Sequence, residues 1–158
     1  MRVCFFIGHR DAPASVQAQL NKTVEQLVRY HDVSQCIVGY HGEFDRMATI
    51  AVQTAKQKYP ELYAYRLTPY FPEEHTASIP AFFDDLYYPM GLEEVPHRFA
   101  IKKANRIALD ESDYLVAYVR RSGGNAAELL RHARRMEKKG WLKIINLGEP
   151  QPSGNGAT

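Results

Sequence analysis

Short apolar runs alternate with longer amphipathic stretches along most of this 158-residue chain. Apolar residues that recur every three to four positions indicate helices, and short continuous apolar runs indicate buried strands. The predicted strands are Arg2 to Gly8, Gln35 to Tyr40, Leu62 to Leu67, Ser112 to Tyr118 and Lys143 to Leu147. The predicted helices are Pro13 to His31, Phe44 to Lys58, Pro96 to Leu109 and Gly124 to Lys139. This alternation is typical of a parallel sheet that helices cover on both faces.

The chain is therefore predicted to be an α/β protein with a Rossmann-like, three-layer αβα arrangement. Right-handed crossovers between five mainly parallel strands favour the order 3-2-1-4-5. In such sheets, ligands bind beyond the carboxyl ends of the strands, where the strand order reverses. That position lies between the first and fourth predicted strands, so the loops after these two strands are expected to form the binding site.

The first of these loops follows the opening strand directly and reads Gly8-His9-Arg10. Gly8 ends the apolar run, and two side chains that can carry positive charge come next. They are predicted to lie where a phosphate or carboxylate would bind. The alternative is an ordinary strand-to-helix turn with two surface side chains.

The second loop contains Ser122, Gly123, Gly124 and Asn125, after two arginines. Two glycines let a ligand approach the backbone closely, and the N–H groups at the start of the following helix attract anions. Ser122 and Asn125 add side chains that form hydrogen bonds. A phosphate site is predicted here, with a simple tight turn as the alternative. The loop has neither the Walker A pattern nor the G-x-G-x-x-G dinucleotide pattern.

Carboxylates near the starts of two helices are the candidate acids of the site. Gly42 precedes the second helix, and Asp45 falls in its first turn. Asp45 either stabilises the helix dipole or accepts hydrogen bonds from ribose hydroxyls or a base edge. Glu43 is a second candidate. Glu128, one turn into the fourth helix, is expected to pair with Arg131 or His132 at i+3 and i+4 or to take part in catalysis.

Residues 68–95 interrupt the alternation with four prolines and six aromatic residues. Loops of this length inside a domain are usually functional, so the segment is predicted to be a lid that stacks on a nucleobase. The alternative is that its aromatic side chains fill one end of the sheet. A short helix is predicted from Ala81 to Leu86.

Composition and charge bear on the location and the partners of the chain. The net charge is +2 and the basic residues are spread over several segments, so nucleic-acid binding is not indicated. No apolar run is long enough to cross a bilayer and no secretion signal is recognisable, which predicts a cytoplasmic protein. Residues 1–148 are predicted to form one domain and 149–158 a disordered tail. Pairing of apolar helix faces would give a homodimer.

Cysteines and histidines give no indication of a metal site. Cys4 and Cys36, the only two cysteines, each fall in a predicted strand and are expected to be buried free thiols. A disulfide between neighbouring strands is the alternative. The histidines are scattered, and a metal-dependent hydrolase built on His9, His41 and Asp45 has no ligand spacing in its favour.

Several segments together resemble the YpsA-like branch of the SLOG superfamily, a group of bacterial proteins. The resemblance extends to Leu147 and is carried by Cys4 to Arg10, Gly42 to Ala48, Asn105, Asp110 to Asp113 and Ser122 to Gly124. It implies a Rossmann-like fold that binds a nucleotide or a nucleotide-derived ligand, for which AMP-like, NAD-related and ADP-ribose-related molecules are candidates. Under this hypothesis the protein is a sensor or carrier, with the two glycine-containing loops around the phosphate and Asp45 toward the ribose.

A sister branch, the LOG enzymes, removes ribose phosphate from cytokinin nucleotides. Those enzymes carry P-G-G-x-G-T-x-x-E at the fourth-strand loop and an arginine on the preceding helix. In this chain Ser122 replaces the proline, Ala126 and Ala127 replace Gly-Thr, and Glu128 falls short of the expected glutamate register. Arg98 is the candidate for the helix arginine. The alternative function is therefore a hydrolase that cleaves an N-glycosidic bond, with Glu128 and Arg98 as its catalytic residues.

Overall fold

The computed structural model describes residues 1–70 and 79–149. In this part of the chain strands and helices alternate, as the sequence pattern predicts. The elements are β1 (Arg2–Gly8), α1 (Gln17–Tyr30), β2 (Val33–Val38), α2 (Glu43–Lys58), β3 (Tyr63–Leu67), β4 (Asp85–Tyr87), α3 (His97–Asp110), β5 (Tyr114–Tyr118), α4 (Asn125–Lys138) and β6 (Lys143–Asn146). Short 3₁₀ turns at Ala14–Val16 and Leu92–Glu94 precede α1 and α3.

The sheet has the strand order β4-β3-β2-β1-β5-β6, and every neighbouring pair is parallel. The α/β class is thus confirmed. The predicted order of five strands is also found, since β5 and β6 are the fourth and fifth predicted strands. The order reverses between β1 and β5, which confirms the expected position of the crevice.

The predicted count of five strands is wrong, because the described residues contain a sixth, β4, at the edge of the sheet. The prediction of a helix from Ala81 to Leu86 is also wrong, because the end of this segment belongs to β4. A short extended segment satisfies the backbone groups that β3 would otherwise leave unpaired. Asp84 fixes this segment, since its Oδ2 accepts hydrogen bonds from the Ala64 N–H at 2.8 Å and from Lys56 Nζ at 2.6 Å.

Helices cover both faces of the sheet, which gives three layers. Successive side chains of a strand point to opposite faces, and β1 shows this clearly. Cys4 and Phe6 belong to the core cluster shared with α1 and α2, whereas Phe5 and Ile7 belong to the cluster shared with α3 and α4.

Both cysteines are buried free thiols, as predicted. They lie in register on neighbouring strands, Cys4 in β1 opposite Cys36 in β2. Burial raises the pKa of both thiols, that of Cys36 to about 12. Both thiols are thus held in the protonated form at neutral pH.

The described aromatic residues of the 68–95 segment pack onto the body of the protein. Phe82 and Phe83 contact one core cluster, and Tyr87 and Tyr88 contact the other. These contacts fit the alternative in which aromatics fill one end of the sheet. Residues 71–78 lie outside the described residues, so the lid stays a prediction. The predicted tail also lies outside them beyond residue 149.

No helix of the described residues has both the length and the apolar character required to cross a bilayer. The single-domain boundary at residue 148 stays a prediction.

Candidate functional site

A cleft of about 400 Å³ opens beyond the carboxyl ends of β1 and β5. Its volume falls within the range typical of small-molecule sites. Nine of the residues singled out from the sequence line it, namely Gly8, His9, Arg10, Asp45, Arg98, Asn105, Gly123, Gly124 and Asn125. Gly42, Ser122 and Glu128 are not among its lining residues. The fold thus gathers most of the predicted site in one place.

His9 connects the two loops that meet at the cleft. Its ring is almost fully buried, and its Nε2 accepts hydrogen bonds from the backbone N–H groups of Arg120 at 2.9 Å and Arg121 at 3.2 Å. An imidazole nitrogen that accepts hydrogen bonds carries no proton, so His9 is neutral with its proton on Nδ1. Burial and the nearby Arg121 charge lower the pKa of His9 accordingly. The sequence suggested a cation here, whereas the structure shows an acceptor that holds the second loop in place.

The glycine loop leaves open space in front of the start of α4. A Cβ added at Gly123 or Gly124 would meet no atom of the described residues within 4 Å, and Gly124 has a φ of +93° that favours glycine. No side chain caps the first turn of α4. The first N–H groups of a helix have no partners within the helix, so here they can bind an anion.

Gly42 lies behind the cleft and positions Arg10. Its φ is +96°, and a Cβ at this position would lie 2.6 Å from the Arg10 Cα. The Glu43 N–H donates a hydrogen bond to the Arg10 carbonyl at 2.9 Å. The Arg10 side chain is exposed and forms no hydrogen bond or ion pair with the described residues. Its guanidinium is therefore available to a ligand.

Asp45 is the buried carboxyl group of the cleft, only 7% exposed. Its Oδ2 accepts a hydrogen bond from the His41 N–H at 2.9 Å, so it stabilises the preceding loop rather than capping α2. Gly39 makes room for it, because a Cβ there would lie 2.7 Å from Oδ2. Burial raises the pKa of Asp45 to about 7, although the His41 hydrogen bond and the charges of Arg66 and Arg10 act against the rise.

Arg66 is a buried cation near the site that sequence reasoning missed. It is 7% exposed, and its guanidinium lies 4.5 Å from the ring centre of Phe83 and 5.4 Å from that of Tyr40. Its Nε forms no hydrogen bond within the described residues. The available signal was a single arginine inside an otherwise apolar strand. Its charge partly compensates the Asp45 carboxylate behind the cleft.

Glu128 and Arg98, the predicted catalytic pair, line different cavities. Arg98 lines the cleft and stacks over Phe99 at 4.8 Å. Glu128 lies in a neighbouring groove and forms an ion pair with Lys102 at 2.8 Å, which lowers its pKa. A catalytic role for this pair stays a prediction.

The surface pairing predicted for Glu128 with Arg131 or His132 is wrong, because Lys102 of α3 is its ion-pair partner. Arg131 instead donates a hydrogen bond to the Ser122 carbonyl at 3.0 Å, and His132 contacts Asp110 at 3.0 Å. The backbone carbonyl of Ser122 is therefore held against α4 by Arg131, one of the residues of that helix.

The described residues contain no group of three His, Cys, Asp or Glu side chains placed to hold a metal ion. No protein-family model matches the chain, and no curated protein matches it significantly. The geometry of the cleft is therefore the basis for assigning a function.

Proposed function

We propose that this protein binds a nucleotide or a nucleotide-derived phosphate ester in the cleft and acts as a sensor or carrier of that ligand. One observation carries the proposal: the start of α4, which no described side chain caps, faces the same cleft as Arg10 and Arg98, two arginines that form no ion pair with the described residues. Helix N–H groups and guanidinium groups both favour phosphate.

The phosphate is assigned to the glycine loop. Gly123 and Gly124 leave the backbone accessible, and Asn125 adds an amide side chain at the first position of α4. Other cations of the cleft are already paired, since Arg121 contacts Asp11 at 3.0 Å and Lys102 contacts Glu128. Arg10 and Arg98 are thus the side chains with charge to offer a ligand.

The nucleoside part is assigned to the side of the cleft that Asp45 lines. A carboxyl group whose pKa is close to 7 can accept a hydrogen bond from a ribose hydroxyl or, when protonated, donate one to a base. Such hydrogen bonds are stronger at a buried position, because the local dielectric constant there is low. Asp45 therefore supplies selectivity, whereas the glycine loop and the arginines supply affinity.

A second candidate function is hydrolysis of the N-glycosidic bond of a nucleoside monophosphate. The observation in its favour is that Asp45, rather than Glu128, is the carboxyl group that shares the cleft with the phosphate-binding groups. Such a reaction needs a carboxylate near the anomeric carbon and anchors for the phosphate. Water would add to the anomeric carbon as the N-glycosidic bond breaks; Asp45 would accept the proton of that water and then donate it to the departing base, which leaves as the neutral molecule.

Thermal unfolding with AMP, GMP, NAD, ADP-ribose and adenosine tests the proposal. A ligand present at 100 times its Kd adds about 2.7 kcal/mol to the free energy of unfolding, so the phosphate-bearing ligands should raise the unfolding midpoint. Adenosine should have little effect, because it has no phosphate. The midpoint shift should be reduced in Arg10→Ala and kept in Arg29→Ala, which changes an exposed arginine of α1 outside the cleft. If no nucleotide shifts the midpoint, the proposal is wrong.

Chromatography of AMP incubated with the protein separates the two candidates. Binding without release of adenine favours the sensor or carrier. Release of adenine that is abolished in Asp45→Asn, while AMP still raises the unfolding midpoint of that variant, favours the hydrolase.

A further inference from the structure

A second cavity, larger than the cleft, lies between α3 and α4. This groove has a volume of about 660 Å³, and its described lining comes entirely from these two helices. It is continuous with the cleft, because Lys102, Asn105 and Asn125 line both. From Asn125 to Arg135 it follows α4 for about 15 Å, at 1.5 Å per residue. A phosphate bound at the start of α4 would leave this length of groove unfilled.

The groove carries positive charge that the protein itself does not neutralise. Lys103, Arg106 and Arg135 line it and form no ion pair or hydrogen bond with the described residues. Its two carboxylates are already engaged, Glu128 with Lys102 and Asp110 with His132. Lys103, Arg106 and Arg135 are thus the groove cations without a described partner, and the four lysines and arginines of the groove exceed its two carboxylates by two charges.

Lysines and arginines outnumber carboxylates in the two cavities taken together. Seven lysines and arginines and four carboxylates line them, an excess of three positive charges. A cavity lined by one sign of charge raises the local concentration of ligands of opposite sign. The groove therefore selects for anionic groups.

An aromatic surface lies where the two cavities meet. Phe99 lines the groove and is 48% exposed, and Arg98, which lines the cleft, covers one part of its ring. Exposed aromatic rings and arginine planes are surfaces on which nucleobases stack.

We propose that the groove between α3 and α4 binds a second phosphate-bearing unit of the same ligand, so that the ligand is a linear dinucleotide rather than a mononucleotide. This inference rests on the proposed function, since the first phosphate occupies the cleft. The second phosphate contacts Arg106 and Arg135, and the base between the two phosphates stacks on Phe99.

Isothermal titration with AMP and with the linear dinucleotide pApA tests the inference. We expect pApA to bind about tenfold tighter or more, because one additional charge-assisted hydrogen bond corresponds to at least that factor in affinity. The tetranucleotide should bind no tighter than pApA, since the groove ends near Asp110 and Arg135.

The variant Arg106→Gln/Arg135→Gln should lose the advantage of pApA and keep its affinity for AMP within about twofold. Both side chains are exposed, so the variant is expected to fold normally. Lys22→Gln/Arg29→Gln is the matched control, because it removes the same charge from the exposed surface of α1. The control should keep the advantage of pApA.

The outcomes separate this inference from the proposed function. Equal affinities for AMP and pApA, or an advantage that survives Arg106→Gln/Arg135→Gln, would overturn the role of the groove and leave the cleft as a mononucleotide site. An affinity that keeps rising from pApA to the tetranucleotide would replace the dinucleotide with a nucleic acid. Absence of binding by all three would overturn the role of the groove, and the thermal unfolding of the protein with GMP, NAD and ADP-ribose would then decide whether the proposed function falls with it.

Discussion

The starts of α2 and α4 both follow a strand at the same edge of the sheet, yet they are built in opposite ways. At α2 the backbone is closed, since Gly42 lies against Arg10 and the Asp45 carboxyl is buried in the wall of the cleft. At α4 the backbone is open, since a Cβ at Gly124 would meet no described atom within 4 Å and the carboxyl of Glu128 reaches solvent and Lys102. Under the proposed function, the start of α2 gives the cleft its shape and the start of α4 receives the anion; these are the closed wall and the open wall of the cleft.

The largest expected effect is the pH dependence of protein stability that Asp45, in the closed wall, causes. The pKa of Asp45 is raised by burial to about 7 from 3.8, so the unfolded chain ionises this group at a lower pH than the folded protein does. The folded state thus loses stability from this group as the pH rises from about 4 to about 7, by on the order of 4 kcal/mol at 1.36 kcal/mol per pKa unit. Asp45→Asn removes the titration while keeping the shape of the side chain.

Urea unfolding of the native protein and of Asp45→Asn across this pH range measures the effect. As the pH rises, the unfolding free energy of the native protein should fall relative to that of Asp45→Asn. A difference that is constant from pH 4 to pH 7 would mean that Asp45 titrates normally and that the closed wall is solvated.

Glycine replacements compare the two walls directly. Gly42→Ala and Gly124→Ala both place a Cβ at positive φ, which costs about 1–3 kcal/mol. Gly42→Ala also forces the Cβ against the Arg10 backbone, so its total cost should be larger by about 1–3 kcal/mol. Urea unfolding measures both values, with Gly123→Ala as a control that meets open space. Equal losses at positions 42 and 124 would show that the two walls are equally open.

Arg10→Ala tests whether the closed wall also contributes affinity. We expect phosphate-bearing ligands to bind more weakly by about 1.5–3 kcal/mol, which is typical of a lost hydrogen bond to a charged group. Titration with AMP gives the value, and Arg29→Ala should leave it unchanged. An unaltered affinity in Arg10→Ala would leave the open wall as the whole of the phosphate site.

The smallest effect is expected at Glu128. Its ion pair with Lys102 is exposed, and such pairs contribute little to stability. Glu128→Gln should leave the unfolding midpoint and the affinity for AMP within experimental error. A large loss of affinity for AMP, or of its hydrolysis, would show that Glu128 acts in the site and would support the catalytic role predicted from the sequence.

The fold could be predicted because strand and helix patterns are local properties of the sequence. The order of the main strands follows from right-handed crossovers. Gly8 and Gly124 could therefore be placed at the edge of the sheet where the carboxyl ends of the strands lie. The strand β4 was missed because its three residues have no pattern of their own. It exists through its pairing with β3 and through the contacts of Asp84 with Lys56 and Ala64, which are tertiary.

The chemistry of the site was less predictable for a related reason. His9 behaves as a neutral acceptor because two backbone N–H groups more than a hundred residues away point at its ring. Similarly, the lysines and arginines appear scattered along the sequence, and only the packing of α3 beside α4 collects them around one groove. Side-chain identity was readable from the sequence, whereas protonation and local concentration of charge depend on the folded arrangement.

The hydrogen bonds of His9 also affect when the site can form during folding. They join residue 9 to Arg120 and Arg121, a separation of 111 and 112 residues along the chain. Contacts between such distant segments require most of the chain to be in place and form slowly compared with local contacts. The glycine loop therefore takes its folded shape only after β5 has docked beside β1, and a partly folded chain lacks the proposed phosphate site.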